Sequence, residues 1–164
     1  IVYMYKADKA YEGYISASNY ITENAIVLAF DFSPNGKDEN GNLIADRNAI
    51  FHHAGQYMAA TKPLVILDNY EANMGYFPIR WKESVNPYNH LSRKSGIEGI
   101  PPYAEIENYR NNNGVTIDYI IMWCYDNSYN KDADFAVLLE EIEQNYHLIY
   151  KDTYGYTLLY ERKK

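Results

Sequence analysis

A chain of 164 residues is long enough to bury one hydrophobic core but not two. Its 15 basic and 22 acidic residues leave a formal charge of −7, which repels polyphosphate backbones and anionic lipid surfaces and excludes a basic stripe for nucleic acid to track. The longest apolar run, Ala25 to Phe30, has the length of a strand and falls far short of the roughly 20 residues that span a bilayer.

In chain order, Tyr11, Tyr14, Ile15, Ala17, Tyr20 and Ile21 recur at mostly helical spacing, with Asp8 placed to cap the start, so the first expected element is a helix over 8–21. Thr22 to Asn24 break that pattern. Ala25 to Phe30 then read as a strand buried on both faces, as in a parallel sheet, and the strand ends on Asp31. The loop from Ser33 to Asn42 carries two Asn-Gly turn signals, Asn35-Gly36 and Asn40-Gly41. Ile50, Phe51, Ala54, Tyr57 and Met58 predict a second helix over 46–61, capped by Asp46 and stopped at Lys62-Pro63. Leu64 to Leu67 form a second strand ending on Asp68, and this strand, helix, strand order implies a parallel crossover.

From Asp68 to about Glu107 the periodicity is lost and prolines and glycines gather, a long excursion of functional or irregular character. Its aromatics, among them Tyr70, Tyr76, Phe77 and Trp81, argue that it packs down. After a turn at Asn111 to Gly114, Ile117 to Trp123 is a third strand, followed by Asp126. A helix over 132–145 comes next, and two strands around the Asp152 to Gly155 turn close the chain as a hairpin. The expected fold is a single soluble α/β domain over 1–164: a three-layer, open, mostly parallel sheet with flanking helices, a long irregular excursion over 68–107 and a C-terminal antiparallel hairpin.

Three strands finish on Asp31, Asp68 and Asp126, and ligands of open parallel sheets gather at the carboxyl ends of strands. With Asn69 and Glu71 beside them, these groups suit sugar hydroxyls or a divalent cation, since both take oxygen ligands; the bland alternative is that Asp and Asn simply end strands and cap helices. No cofactor fingerprint is present: no glycine-rich nucleotide loop, no nucleophile elbow and no His-Glu-x-x-His. His52 and His53 are adjacent, and on a helix adjacent side chains diverge too far to share an ion, so one is expected in the core and the other near the strand ends. Cys124, alone in the chain, reads as a buried, inert thiol. The 19 tyrosines suit sugar stacking but are explained as well by half-buried faces.

Three segments carry a family resemblance: Phe51-His52-His53-Ala54-Gly55-Gln56-Tyr57; Leu67-Asp68-Asn69-Tyr70-Glu71-Ala72 running to Gly75-Tyr76-Phe77-Pro78-Ile79-Arg80-Trp81; and Ile117-Asp118-Tyr119-Ile120-Ile121-Met122-Trp123. They resemble the extracytoplasmic C-terminal α/β domain of bacterial polytopic membrane proteins related to lipid-sugar-dependent glycosyltransferases, and Tyr146 to Arg162 is similar to the end of such chains. In that family the transfer chemistry resides in loops between membrane helices, so the resemblance implies a non-catalytic accessory domain on the outer face of a bacterial membrane. Its partners would be its own transmembrane region and a glycan or lipid-linked sugar, with Asp68, Asn69, Glu71, Arg80 and Trp81 as the residues to test. A start at Ile1 fits excision from a larger membrane protein. The alternatives are a stand-alone carbohydrate-active or cation-dependent enzyme using the strand-end carboxylates, and a protein-interaction module using the long loop.

Overall fold

The structure, a computed structural model, describes residues 2–38, 40–92, 104–125 and 132–164. It is a mixed α/β fold around a five-stranded open sheet. The strands are β1 (Ile26–Asp31), β2 (Val65–Ile66), β3 (Tyr119–Trp123), β4 (Tyr146–Lys151) and β5 (Thr157–Arg162), in the spatial order β2-β1-β3-β5-β4. β1 runs parallel to both β2 and β3, with Val27 opposite Ile66 and Tyr119, whereas β5 is antiparallel to β3 and to β4. The parallel half and the antiparallel hairpin edge follow the sequence reading.

Alternation along each central strand divides the core. Val27 and Ala29 of β1, with Tyr119, Ile121 and Trp123 of β3, join one apolar cluster; Leu28 and Phe30, with Ile120 and Met122, join another. The first cluster is completed by Tyr14, Ala17 and Ile21 from the N-terminal segment and by Phe51, Ala54 and Met58. The second is completed by helix α3 (Ile106–Asn113) and helix α4 (Ala133–Asn145) through Ile106, Tyr109, Phe135, Leu138 and Ile142. Both faces of β1 and β3 are therefore dry, which is why those strands read as unbroken apolar runs.

Helix α1 spans Val2–Ser16 and passes into a tighter 3₁₀ turn at Ala17–Tyr20, so Asp8 lies inside the helix and does not cap it. The second expected helix is corrected more substantially. Residues 46–53 form bends and turns, and only Ala54–Ala60 is helical, as a 3₁₀ segment entered through His53 at φ 61°. The apolar spacing there reported correctly that Phe51, Ala54 and Met58 are buried, but the same positions are satisfied by a turn followed by a 3₁₀ segment. Both Asn-Gly signals are turns, with Gly36 and Gly41 at positive φ; a side chain at Gly36 would strike the Phe51 ring.

Within the expected excursion lie two 3₁₀ turns, Glu71–Asn73 and Glu83–Val85, and the short helix α2 (Pro87–His90); beyond the undescribed stretch 93–103, α3 starts at the end of the excursion and runs past it. The helix α3 was not legible in an Asn-rich sequence. Its N-terminus is completed from outside: the Glu141 carboxylate of α4 accepts from the Ile106 and Glu107 N–H groups at 3.1 and 2.7 Å. No helix among the described residues is long and apolar enough to cross a membrane.

Candidate functional site

At the carboxyl ends of β1 and β2 the sheet opens into a cavity of about 260 Å³. Asp31 closes β1 and Asp68 follows β2 after Leu67, so the parallel pairing itself brings the two carboxyls to one rim. Tyr14 enters from α1, and His52, His53 and Gly55 come from the turn and 3₁₀ segment that cross between the strands. Phe51, Tyr70, Tyr88 and Trp123 supply aromatic walls. The Phe51 and Tyr14 rings pack on Trp123 with centroids 5.0 and 5.1 Å apart, and His53 stacks on Tyr70 at 5.0 Å.

Gly55 permits this closeness. A Cβ at that position would meet the Tyr14 hydroxyl at 3.0 Å, the Ala29 methyl at 3.3 Å and Asp68 Oδ2 at 3.5 Å. The backbone thus lies against Tyr14 and Asp68 where any other residue would intrude.

Burial governs the electrostatics. It raises the Asp68 carboxyl to about 6, opposed by the nearby Gln56 amide and reinforced by Glu71. Asp31 is raised to about 7, first by burial of its carboxyl and then by the charge of Asp68, while the Ser33 N–H, which donates to Oδ1 at 3.0 Å, pulls it down. Asp31 keeps an exposed edge by surface area, so Asp68 is the more securely desolvated of the two. Tyr14 is fully enclosed, and its hydroxyl is pushed well above its ordinary value by burial and then by Asp68 and Asp31. The His53 imidazole is lowered, by burial and by His52, against the opposing pull of Glu71.

Three buried polar atoms have no partner here: His53 Nε2, Gln56 Nε2 and Asp68 Oδ1. The nearest carboxylate oxygen to His53 Nε2 is Glu71 Oε1, at 3.8 Å, beyond hydrogen-bonding reach. Buried polar groups are ordinarily paired, so unpaired atoms clustered beside a cavity mark a place where another molecule can complete the bonding.

Of the residues singled out in the sequence, the structure brings Asp31 and Asp68 together and sets Glu71 against His53. Asn69 is turned to a local task, its Oδ1 accepting from the Ala72 N–H at 3.2 Å. Trp81 does not line the cavity; its indole N–H donates to the Asn69 carbonyl at 2.9 Å and fastens the loop. Arg80 is exposed and donates to the Gly75 carbonyl within its own loop. Asp126 lies outside the described residues. Tyr70, Phe77 and Trp81 are half-buried and Tyr76 is exposed, so the loop packs down except at its tip. Sequence reasoning missed Tyr14 and Gln56, which follow helical spacing, Tyr88, which lies in the aperiodic excursion, and Trp123, which ends an unbroken apolar strand; the small residue Gly55 beside two histidines was the available signal. The two histidines do not diverge as they would on a helix: their ring centroids are 3.8 Å apart. Cys124 is buried and free, and burial pushes its thiol up to about 12.

No group of three or more His, Cys, Asp or Glu side chains arranged to hold a metal occurs among the described residues. Comparison with protein-family models, with curated proteins and with solved structures returns no match.

Proposed function

We propose that this chain is a non-catalytic accessory domain of a membrane glycosyltransferase-like protein, displayed on the extracytoplasmic face of a bacterial membrane, and that its strand-end cavity holds the sugar of a glycan or lipid-linked sugar. The finer architecture belongs to the same reading: helices on either side of the sheet make three layers, with the cavity at one end of the middle layer. The observation that carries the proposal is the pair of unpartnered buried atoms in the lining, His53 Nε2 and Asp68 Oδ1, beside aromatic walls. A sugar ring offers hydroxyls to such atoms and a C–H face to the half-buried Tyr70. The volume of about 260 Å³ lies below the range of about 300–1,000 Å³ of sites for drug-sized ligands, so a single ring fits the space better than an oligosaccharide.

A second reading draws on the carboxyl pair. A carboxylic acid still protonated near neutral pH is what a general acid requires, and Asp31 and Asp68 are both raised toward that range. The two readings separate in one experiment on the 164-residue chain. Under the accessory-domain reading, monosaccharides shift the backbone resonances of Gly55 and Asp68, and no glycoside or sugar phosphate is turned over. Turnover that disappears in Asp68→Asn replaces the accessory domain with a stand-alone enzyme.

A further inference from the structure

The charge inside the cavity is unbalanced. Two shielded carboxylates elsewhere in the chain have basic partners: Asp38 meets Lys6 at 2.7 Å, and Glu107 meets Arg162 at 2.7 Å. Asp31 and Asp68 do not. No lysine or arginine is among the residues lining the cavity. The basic groups in the lining are His52 and His53, and the His53 imidazole is held toward its neutral form by burial and by His52. Asp68 is half-buried and Asp31 keeps an exposed edge, yet two neighbouring carboxyls with no cation between them repel when both are ionised, so the pair favours either a proton or a positively charged guest.

The walls favour the same guest. Phe51, Trp123, Tyr70 and Tyr88 line the space around the carboxyls, and aromatic faces attract cations, most strongly where water is excluded. Asp68 Oδ1, buried and unpartnered, is an acceptor awaiting an N–H or O–H donor. An anionic group would meet repulsion from both carboxylates, so the phosphate of a lipid-linked sugar has to lie outside this space.

We infer that the ligand of this cavity carries a positive charge, a protonated primary amine on a sugar ring, held between the Asp31 and Asp68 carboxylates and the aromatic walls. This rests on the glycan-binding reading and specifies its ligand. Binding of the amine favours the ionised pair, so a proton still held there, chiefly by Asp31 at neutral pH, leaves as the amine enters. The other titratable groups around the pair are Glu71, His52, His53, Tyr14, Tyr70, Tyr88 and Cys124. The three tyrosine hydroxyls and the thiol stay protonated across the neutral range, because burial raises Tyr14, Tyr88 and Cys124 and the charge of Glu71 raises Tyr70.

The test is calorimetry on the full chain at pH 7 with three probes, glucosamine, glucose and ethanolamine, repeated in two buffers of different protonation enthalpy. Glucosamine is expected to bind at least about tenfold more tightly than glucose, a difference worth about 1.4 kcal/mol, with proton release that glucose does not produce. The preference is expected to vanish in Asp68→Asn and in Asp31→Asn, each checked for folding by its amide spectrum. Equal binding of glucose and glucosamine overturns the inference and leaves the glycan reading standing. A preference that survives both substitutions also overturns it. Ethanolamine binding as tightly as glucosamine supports the cationic ligand and overturns the sugar. If none of the three binds, both fail.

Discussion

Asp68 is where burial and charge are most directly opposed. Its carboxyl is raised from 3.8 to about 6, so the folded state holds a proton more firmly than the unfolded chain does. A raised carboxyl contributes stability that is fully present below the unfolded value and is lost as pH rises through the folded value. The shift corresponds to roughly 3 kcal/mol at most, lessened by the partial exposure of the residue. Asp68→Asn is therefore expected to stabilise the fold at pH 8 by roughly 1–3 kcal/mol, and to converge with the native chain near pH 4. Urea titrations at the two pH values measure this, and equal stability at pH 8 would remove burial as the dominant influence on Asp68. The same substitution takes away one charge acting on Asp31, whose carboxyl should then titrate lower by NMR. Gly55 gives a steric counterpart. In Gly55→Ala the added methyl lies 3.0 Å from the Tyr14 hydroxyl and 3.5 Å from Asp68 Oδ2, so a loss of about 1–3 kcal/mol is expected. Unchanged stability together with unchanged sugar-induced shifts would mean that Tyr14 yields without effect. Asp31 and Asp68 were legible because strand ends gather ligands. Tyr14 and Gln56 were not, since nothing in an amphipathic pattern distinguishes a core tyrosine from one whose hydroxyl borders a cavity.

Among the elements, those whose ends are set by their own residues were readable, and those completed by distant residues were not. α4 begins where the sequence indicates because Asp132 accepts from the N–H groups of Asp134 and Phe135 at 2.9 and 3.0 Å, a local cap. The closing hairpin was equally legible: Asp152 accepts from the Thr157 N–H at 2.6 Å, and Gly155 takes the positive φ the turn requires. α3 has no such signal. Ile-Glu-Asn-Tyr-Arg-Asn-Asn-Asn is a poor helix former, and what completes its first turn is Glu141, 34 and 35 positions away in sequence. Its C-terminal end was half visible, because Gly114 in the left-handed region stops the helix where a turn was expected. Two substitutions separate the cases. Asp132→Ala is expected to cost about 1 kcal/mol. Glu141→Ala leaves two N–H groups without their acceptor and is expected to cost about 1–3 kcal/mol, with hydrogen exchange accelerating in α3 although the change lies in α4. Exchange that accelerates in α4 alone would show that α3 stands by its own propensity.

At the scale of the whole molecule, carboxyls of opposite character set the pH range in which the fold is most stable. Asp38 is buried by surface area in the loop after β1, accepts from the Asn40 and Asn42 N–H groups at 3.0 Å each, and meets Lys6 of α1. Lys6 holds its carboxyl down to about 2, helped by those N–H groups against burial. A depressed carboxyl supplies stability that is present above the unfolded value and is lost as pH falls through the folded one, so this tie between α1 and the loop weakens between about pH 4 and pH 2. Asp31 and Asp68 act in the other direction, withdrawing stability as pH rises through about 6 and 7. The formal charge of −7 adds self-repulsion at neutral pH. Acid loss below about pH 4 and carboxyl ionisation from about pH 4 upward place the stability maximum near pH 4, below the neutral range usual for domains in which ion pairing dominates. A series of thermal melts from pH 2 to pH 9 checks this. In the double variant Asp31→Asn, Asp68→Asn the alkaline decline should flatten while the acid limb remains, and in Lys6→Met the acid limb should begin at higher pH. A maximum at or above pH 7 in the native chain would mean that the strand-end carboxyls are well solvated and have no need of a charged guest.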